Sequence, residues 1–382
     1  MIRVAPLLCA GVIVATCFAC SPTPVAVAPP APPPPLRVAA VCQPSQPASF
    51  AQSVTMLAPG FVPGAFGTPP SSSVPLTAQM QADLTAAFTA APPIFKIALC
   101  RLDGVYVDPS ATTSWGYRDP TTLKRYIGLS AQGLWGSAGT TPALAYSAYE
   151  TGQLAEVMKT WLMPWPLASS QVPTPPFFSP AMSGTTSVDT SAMTVLAVLA
   201  HEFGHIFWYD KVKASSGHAY NPNGFCRQHA IVGTGFFDKT WQIPVNQPDP
   251  FVYFGAPSGD YHASGIVQLS DLYLPLQNGN YTSAAQMLNS LYTNDTGNAS
   301  GVWPSLLGAV SPEEDFVETL KLFILTRPQA NGGLPITSMP LNIFATPNTN
   351  VPTYTPDIFA DLTRVKKREL ARQLLCIASA SP

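Results

Sequence analysis

An α+β fold is the class that this 382-residue sequence predicts. Three observations carry the prediction: helical patterns spaced along the chain, short β-prone runs in groups between them, and no internal repeat or heptad run. Composition then excludes several classes. Lys+Arg 19 against Asp+Glu 21 leaves no basic excess to neutralise phosphates, so nucleic acid is not an expected partner. Forty-two prolines rule out a coiled coil, and 39 aromatic residues supply a core that a disordered chain lacks. Only 10% of the residues are charged, against about a quarter in an average globular chain.

The N-terminus carries one Arg and then an uncharged apolar run from Val4 to Ala19. That run is too short to span a bilayer comfortably and sits where a secretory signal has its apolar region. Eight of the fourteen residues from Pro22 to Pro35 are proline, a composition that favours an extended polyproline II spacer. The apolar run, Ala19-Cys20-Ser21 and the Pro-rich tether together resemble a bacterial lipoprotein. The resemblance implies acylation of Cys20, a membrane anchor and a place in the cell envelope; without acylation the protein is secreted. The expected organisation is residues 1–19 as signal, 20–36 as tether, and 37–382 as one domain with a long insertion at about 211–304. Four cysteines remain in that domain: Cys42, Cys100, Cys226 and Cys376. Widely spaced and even in number, they are expected to form two disulfides, with three pairings open.

Residues 37–76 are rich in Pro, Gly and Ser without a period. Met80, Leu84 and Phe88 recur at a spacing of four and predict a helix over 77–91, stopped by Pro92-Pro93. Runs at 94–99, 104–107 and 125–129 predict strands. Residues 145–162 read as a helix, 164–180 as a proline-rich loop, and 191–209 as the strongest helix of the chain. From 211 to 304 the sequence is turn-rich. Helical patterns return at 312–326 and 357–378, the last with Arg364, Lys366, Lys367 and Arg368 as a solvated face.

The chemistry lies in VLAHEFGHIF, Val198 to Phe207. His201 and His205 are four apart, so on a helix both imidazoles reach one metal ion from one face. Glu202 lies at the edge of that face, where it reaches an activated water without ligating the metal. With 5 His and 7 Glu in the chain, HExxH arises by chance in about one such chain in a thousand. Leu196, Leu199, Phe203 and Ile206 form the apolar opposite face, as a helix packed beneath a site requires.

Zinc needs a third protein ligand and leaves its fourth position to water. Trp208 and Lys211 stand where the metzincin continuation HExxHxxGxxH has Gly and His, which excludes that branch. The stretch from Gly233-Thr234 to Asp238 is one residue longer than an aspartate-ligand GTxxD pattern, so Asp238 is an alternative ligand only. SPEEDFVETLKLF is the better source. Ser311 and Pro312 make an N-cap and first-position pair, and Glu314 and Glu318 then share a face opposite Phe316, Leu320 and Phe323. HEFGH with EDFVE resembles the gluzincin zinc metallopeptidases, and within them the lethal-factor-like branch. The resemblance rests on those two segments. It implies a zincin-like fold with a small mixed sheet and a central HExxH helix. It also implies one Zn²⁺ per chain held by His201, His205 and Glu314, with Glu202 as general base and Glu318 orienting a ligating histidine. Ser311-x-x-Glu314 also fits a capping box, in which case Glu318 is the ligand.

The expected function is therefore a secreted, lipid-anchored zinc endopeptidase acting on a peptide or protein substrate. Such a substrate lies extended along an edge strand, for which residues 125–129 are the candidate. His218, His229, His262, Tyr220, Tyr253 and Tyr261 are candidates for stabilising the oxyanion. Two alternatives stand beside this reading. One is a hydrolase of peptidoglycan peptides, and the other is a non-catalytic zinc-binding envelope lipoprotein, which has no need of Glu202.

Overall fold

The computed structural model describes residues 38–159, 180–208, 269–293, 303–327, 336–345 and 350–359, apart from 65–66, 137 and 185–187. In chain order, α1 (Val38–Val41) and α2 (Pro47–Ser53) lead into β1 (Thr55–Met56). Next comes α3 (Ala78–Ala90), whose N-cap Thr77 accepts the Met80 N–H at 3.2 Å. α4 (Pro93–Cys100), β2 (Gly104–Asp108), β3 (Trp115–Arg118) and β4 (Arg125–Ser130) follow. Then come α5 (Ala131–Trp135), α6 (Tyr146–Val157), β5 (Ala181–Met182) and α7 (Ser191–Trp208). The remaining elements are α8 (Leu269–Gln277), α9 (Tyr281–Tyr292), a 3₁₀ turn at Leu307–Ala309, α10 (Pro312–Leu325) and β6 (Leu341–Asn342). Among the described residues no helix is long and apolar enough to cross a membrane.

The architecture is α+β with a small mixed sheet. Its strand order is β1-β2-β4-β3, with β1, β2 and β4 parallel and β3 antiparallel to β4. Strand alternation divides the side chains between two faces. Val105, Val107, Ile127 and Leu129 enter the main core, while Tyr106, Tyr117, Tyr126, Trp115 and Leu57 form a second cluster. The Tyr126 hydroxyl donates to Thr68 Oγ1 at 3.2 Å, which ties the covering segment to that second face.

Helix α7 runs through the main core. It is apolar on nearly every side, and Val195, Leu196, Val198, Leu199, Phe203, Ile206 and Phe207 are all buried. It packs against α10, α3, β3 and β4. Phe95 of α4 meets Phe203 edge-on at 5.5 Å, and Phe207 lies 5.5 Å from Phe316 of α10.

Several expectations are corrected. Residues 94–99 are helical, within α4, and not a strand. Pro93 presets the first turn, and the buried Phe95, Ala98 and Leu99 sit at helical spacing in a run apolar at both periods. The segment 125–129 belongs to β4, an interior strand between β2 and β3, so the edge strands of this sheet are β1 and β3. The aperiodic stretch 37–76 contains α1, α2 and β1, and the turn-rich stretch 211–304 contains α8 and α9. In α8, Pro275 inside the helix disguised the pattern; in α9 it is Asn280 that starts the helix, its Oδ1 accepting the Ser283 N–H. Asp357 to Phe359 form a bridge and turn, and 360–378 lie outside the described residues.

Cys42 and Cys100 form a disulfide that joins the end of α1 to the end of α4 across 58 residues. Cys226, Cys376 and Cys20 lie outside the described residues. Closing a loop of that length removes about 4 kcal/mol of denatured-state entropy. Replacing both Cys42 and Cys100 by Ala is expected to cost about 2–5 kcal/mol in urea unfolding, whereas an unchanged midpoint contradicts the bridge.

Candidate metal centre

His201, Glu202 and His205 project from the last two turns of α7, and Glu313, Glu314 and Glu318 from the facing side of α10. Both helices start with side-chain caps. Thr190 Oγ1 accepts the Met193 N–H at 3.3 Å, and Ser311 Oγ accepts the Glu314 N–H at 3.1 Å. Two glycines permit the close packing. A Cβ on Gly204 would sit 3.1 Å from Val317 Cα, and one on Gly116 of β3 would sit 2.2 Å from the Glu202 carbonyl oxygen. The histidine turn of α7 is thereby held between the edge strand and α10.

Each imidazole is anchored through Nδ1. Glu318 Oε1 lies 2.7 Å from His201 Nδ1, and Glu313 Oε1 lies 2.8 Å from His205 Nδ1. An ionised carboxylate only accepts, so both Nδ1 atoms carry protons and both Nε2 atoms turn inward. The two Nε2 atoms are 3.2 Å apart. Glu314 places Oε2 3.8 Å from His201 Nε2 and Oε1 3.8 Å from His205 Nε2. Nitrogens at about 2.0–2.1 Å from a tetrahedral zinc stand about 3.3 Å apart, close to the separation found here. One donor atom from each of His201, His205 and Glu314 lies within 4.8 Å of the others. Glu314 Oε2 is buried and has no hydrogen-bond partner, a costly state that a cation between these three side chains relieves. The donor set therefore fits a zinc-type ion.

The surroundings favour positive charge. Burial pushes the His205 imidazole down, but the Glu314 charge and then the Glu313 hydrogen bond outweigh it and lift it to about 10. Burial opposes charge on His201 as well, and the Glu318 hydrogen bond with the Glu202 charge turns the balance upward. Glu202 is itself raised above the ordinary carboxyl range by burial, against the pull of both imidazoles and of the Gly116 N–H that donates to it.

The residues border a cleft of about 490 Å³. Trp115 and Gly116 line it from the edge strand, and Tyr149, Gln153 and Leu154 from α6. The structure thus brings together His201, Glu202, His205, Glu314 and Glu318 from the sequence reading. The two roles weighed for Glu314 separate cleanly. Its backbone is capped by Ser311, while its carboxylate points to the histidines. Asp238, His218, His229, His262, Tyr220, Tyr253 and Tyr261 lie outside the described residues.

Sequence reasoning passed over four contributors. Glu313 backs His205, Gly116 packs against the Glu202 backbone, and Glu150 and Lys321 form an ion pair beside Glu318. Lys321 had a readable signal, since it follows Glu314 and Glu318 at i+7 and i+3 on one helix face. Gly116 and Glu150 had none. Comparison with protein-family models, curated proteins and solved structures yields no match. Gly116→Ala is expected to drive β3 away from α7 and to destabilise the fold by about 1–3 kcal/mol in chemical denaturation. Wild-type stability in that variant contradicts the contact.

Proposed function

We propose that the protein is an exported zinc endopeptidase with a zincin-like fold of the gluzincin type. The observation that carries this reading is the convergence of His201 Nε2, His205 Nε2 and the Glu314 carboxylate on one point. Glu202 lies beside that point, and a cleft leads to it. When bound, zinc supplies a Lewis acid that polarises a carbonyl and brings the pKa of water to about 7.

The side chains divide the remaining work. His201 and His205, each held by a carboxylate on Nδ1, keep their Nε2 atoms aimed without reorganisation. Glu202 takes a proton from the attacking water at its carboxylate and passes it to the leaving amine nitrogen. The Gly116 N–H lies beside that carboxylate at the strand edge and favours its charged form. Among the described strands β3 pairs on one side only, and it lines the cleft, so its backbone is placed to bind an extended peptide. Tyr149 borders the same cleft. Burial and then the Glu150 and Glu202 charges push its hydroxyl far up, so it remains a neutral donor for developing negative charge.

Export is part of the same proposal. The Cys42–Cys100 bridge suits an oxidising compartment. The lipid anchor at Cys20 and the cell-envelope location rest on the N-terminal sequence.

Purified protein never exposed to chelator is expected to contain about one zinc per chain by elemental analysis, and a zinc-free result defeats the proposal. Glu202→Gln is expected to keep that zinc and lose about 10²–10⁴-fold in peptide hydrolysis. Full activity in this variant removes Glu202 from the role of base. Glu314→Ala is expected to lose the metal altogether, and Glu313→Ala and Glu318→Ala to bind it about 10–100-fold more weakly. The reverse ranking in a chelator competition moves the third ligand away from Glu314.

A further inference from the structure

Behind His201 a buried charge chain continues away from the metal centre. Glu318 Oε1 meets His201 Nδ1 at 2.7 Å, and its Oε2 meets Lys321 Nζ at 2.8 Å. Lys321 Nζ reaches across to Glu150 Oε1 of α6 at 2.7 Å. The side chains of Glu318, Lys321 and Glu150 are only 2%, 6% and 5% exposed, and all three line the cleft.

We propose that Lys321, anchored on α6 by Glu150, is a positioning residue that locks the Glu318 carboxylate and through it the aim of His201. This inference rests on the metal reading above and deepens it. The argument begins with energetics. A fully buried ion-pair triad is a poor stability device, because desolvation offsets its Coulombic gain and an apolar replacement is often as stable. Its placement is more informative. A carboxylate with one oxygen engaged can still turn about its last bond; with both engaged at hydrogen-bond distance it cannot. Glu318 has both engaged.

The other histidine supplies an internal comparison. Glu313 holds His205 through Oε1, while its buried Oε2 has no hydrogen-bond partner. The two imidazoles are therefore backed unequally, and His201 is the more rigidly held. Without Lys321, the Glu318 and Glu150 carboxylates are left on either side of a buried space with nothing between them, and the acceptor that fixes the His201 ring is free to turn away.

The test uses the full chain with Lys321→Met, Lys321→Arg and Glu150→Gln. Two quantities are measured: zinc affinity by chelator competition, and protection from exchange of the His201 Nδ1–H proton by NMR of the metal-free protein. Lys321→Met is expected to lower zinc affinity about 10–100-fold and to abolish the protection, with Lys321→Arg restoring most of both. Glu150→Gln, which keeps the lysine, is expected to show a smaller loss in the same direction. A purely structural role predicts reduced thermal stability with zinc affinity and Nδ1–H protection unchanged in the folded protein, and that result overturns the proposal. Should Lys321→Met fail to fold, Glu150→Gln decides, and wild-type values in that variant reject the inference. Wild-type protein that binds no zinc, while Lys321→Met still loses the protected proton, defeats the metal reading and leaves the positioning role standing.

Discussion

The approach of α7 to α10 at Gly204 and Val317 is the contact on which the site depends. Gly204 lies between His201 and His205, and Val317 lies between Glu314 and Glu318. This tight contact between the two helices therefore falls inside both short motifs. Even a Cβ at Gly204 would press on Val317 at 3.1 Å, so α10 would have to give by a few tenths of an ångström at the turn that carries the carboxylates. On the other side of α7, Gly116 brings β3 within touching distance of the Glu202 backbone. The histidines and the carboxylates around them are thus set by closely packed helices and a strand, as a preorganised site requires.

The same packing creates an electrostatic problem. Glu150, Glu202, Glu313, Glu314 and Glu318 line one cleft, and they are five of the seven glutamates in the chain. Lys321 is the one lysine or arginine among the cleft residues, so the carboxylates lean on it and on the two imidazoles, both of which they push toward the charged form. In a chain with 10% charged residues such a concentration has no purpose in folding, since buried carboxylates cost several kcal/mol each when uncompensated. Here they pair with the two imidazoles, Glu318 with His201 and Glu313 with His205, and under the metal reading proposed above such carboxylates orient the ligands and raise their basicity.

The legible parts of the sequence were those with long periodicity or rare residues. Helices α3, α6, α7 and α10 repeat their apolar positions over several turns, and HEFGH stands out because histidine and glutamate are scarce. The strand reading of 94–99 failed because Ile94, Phe95 and Ile97 suit either period, and Pro93 with the core beneath Phe95 and Leu99 decided for helix. The edge strand was misplaced because pairing order depends on contacts between distant segments. The motif WGYR, with its alternating burial, is too short to declare itself. Partnerships across elements were the least legible. Glu150 and Lys321 are 171 residues apart, and no local pattern joins them.

Helix phase connects these observations. On α10, residues 313, 314, 318 and 321 fall within about 140° of arc at 100° per residue, while Phe316, Leu320 and Phe323 fall within a separate arc of about 60°, opposite Glu314 and Glu318. One helix thereby buries two incompatible faces, one in the apolar core and one in the charged cleft. Starting that helix one residue earlier or later by a register slip against α7 would rotate the faces by about 100° and bring the apolar side toward the histidines. Ser311 and Pro312 determine the start, the first by accepting the Glu314 N–H and the second by a backbone angle already suited to the first turn. The cap and a carboxylate aimed at the imidazoles are thus compatible in Glu314: by fixing where α10 begins, Ser311 sets which of its side chains meet them.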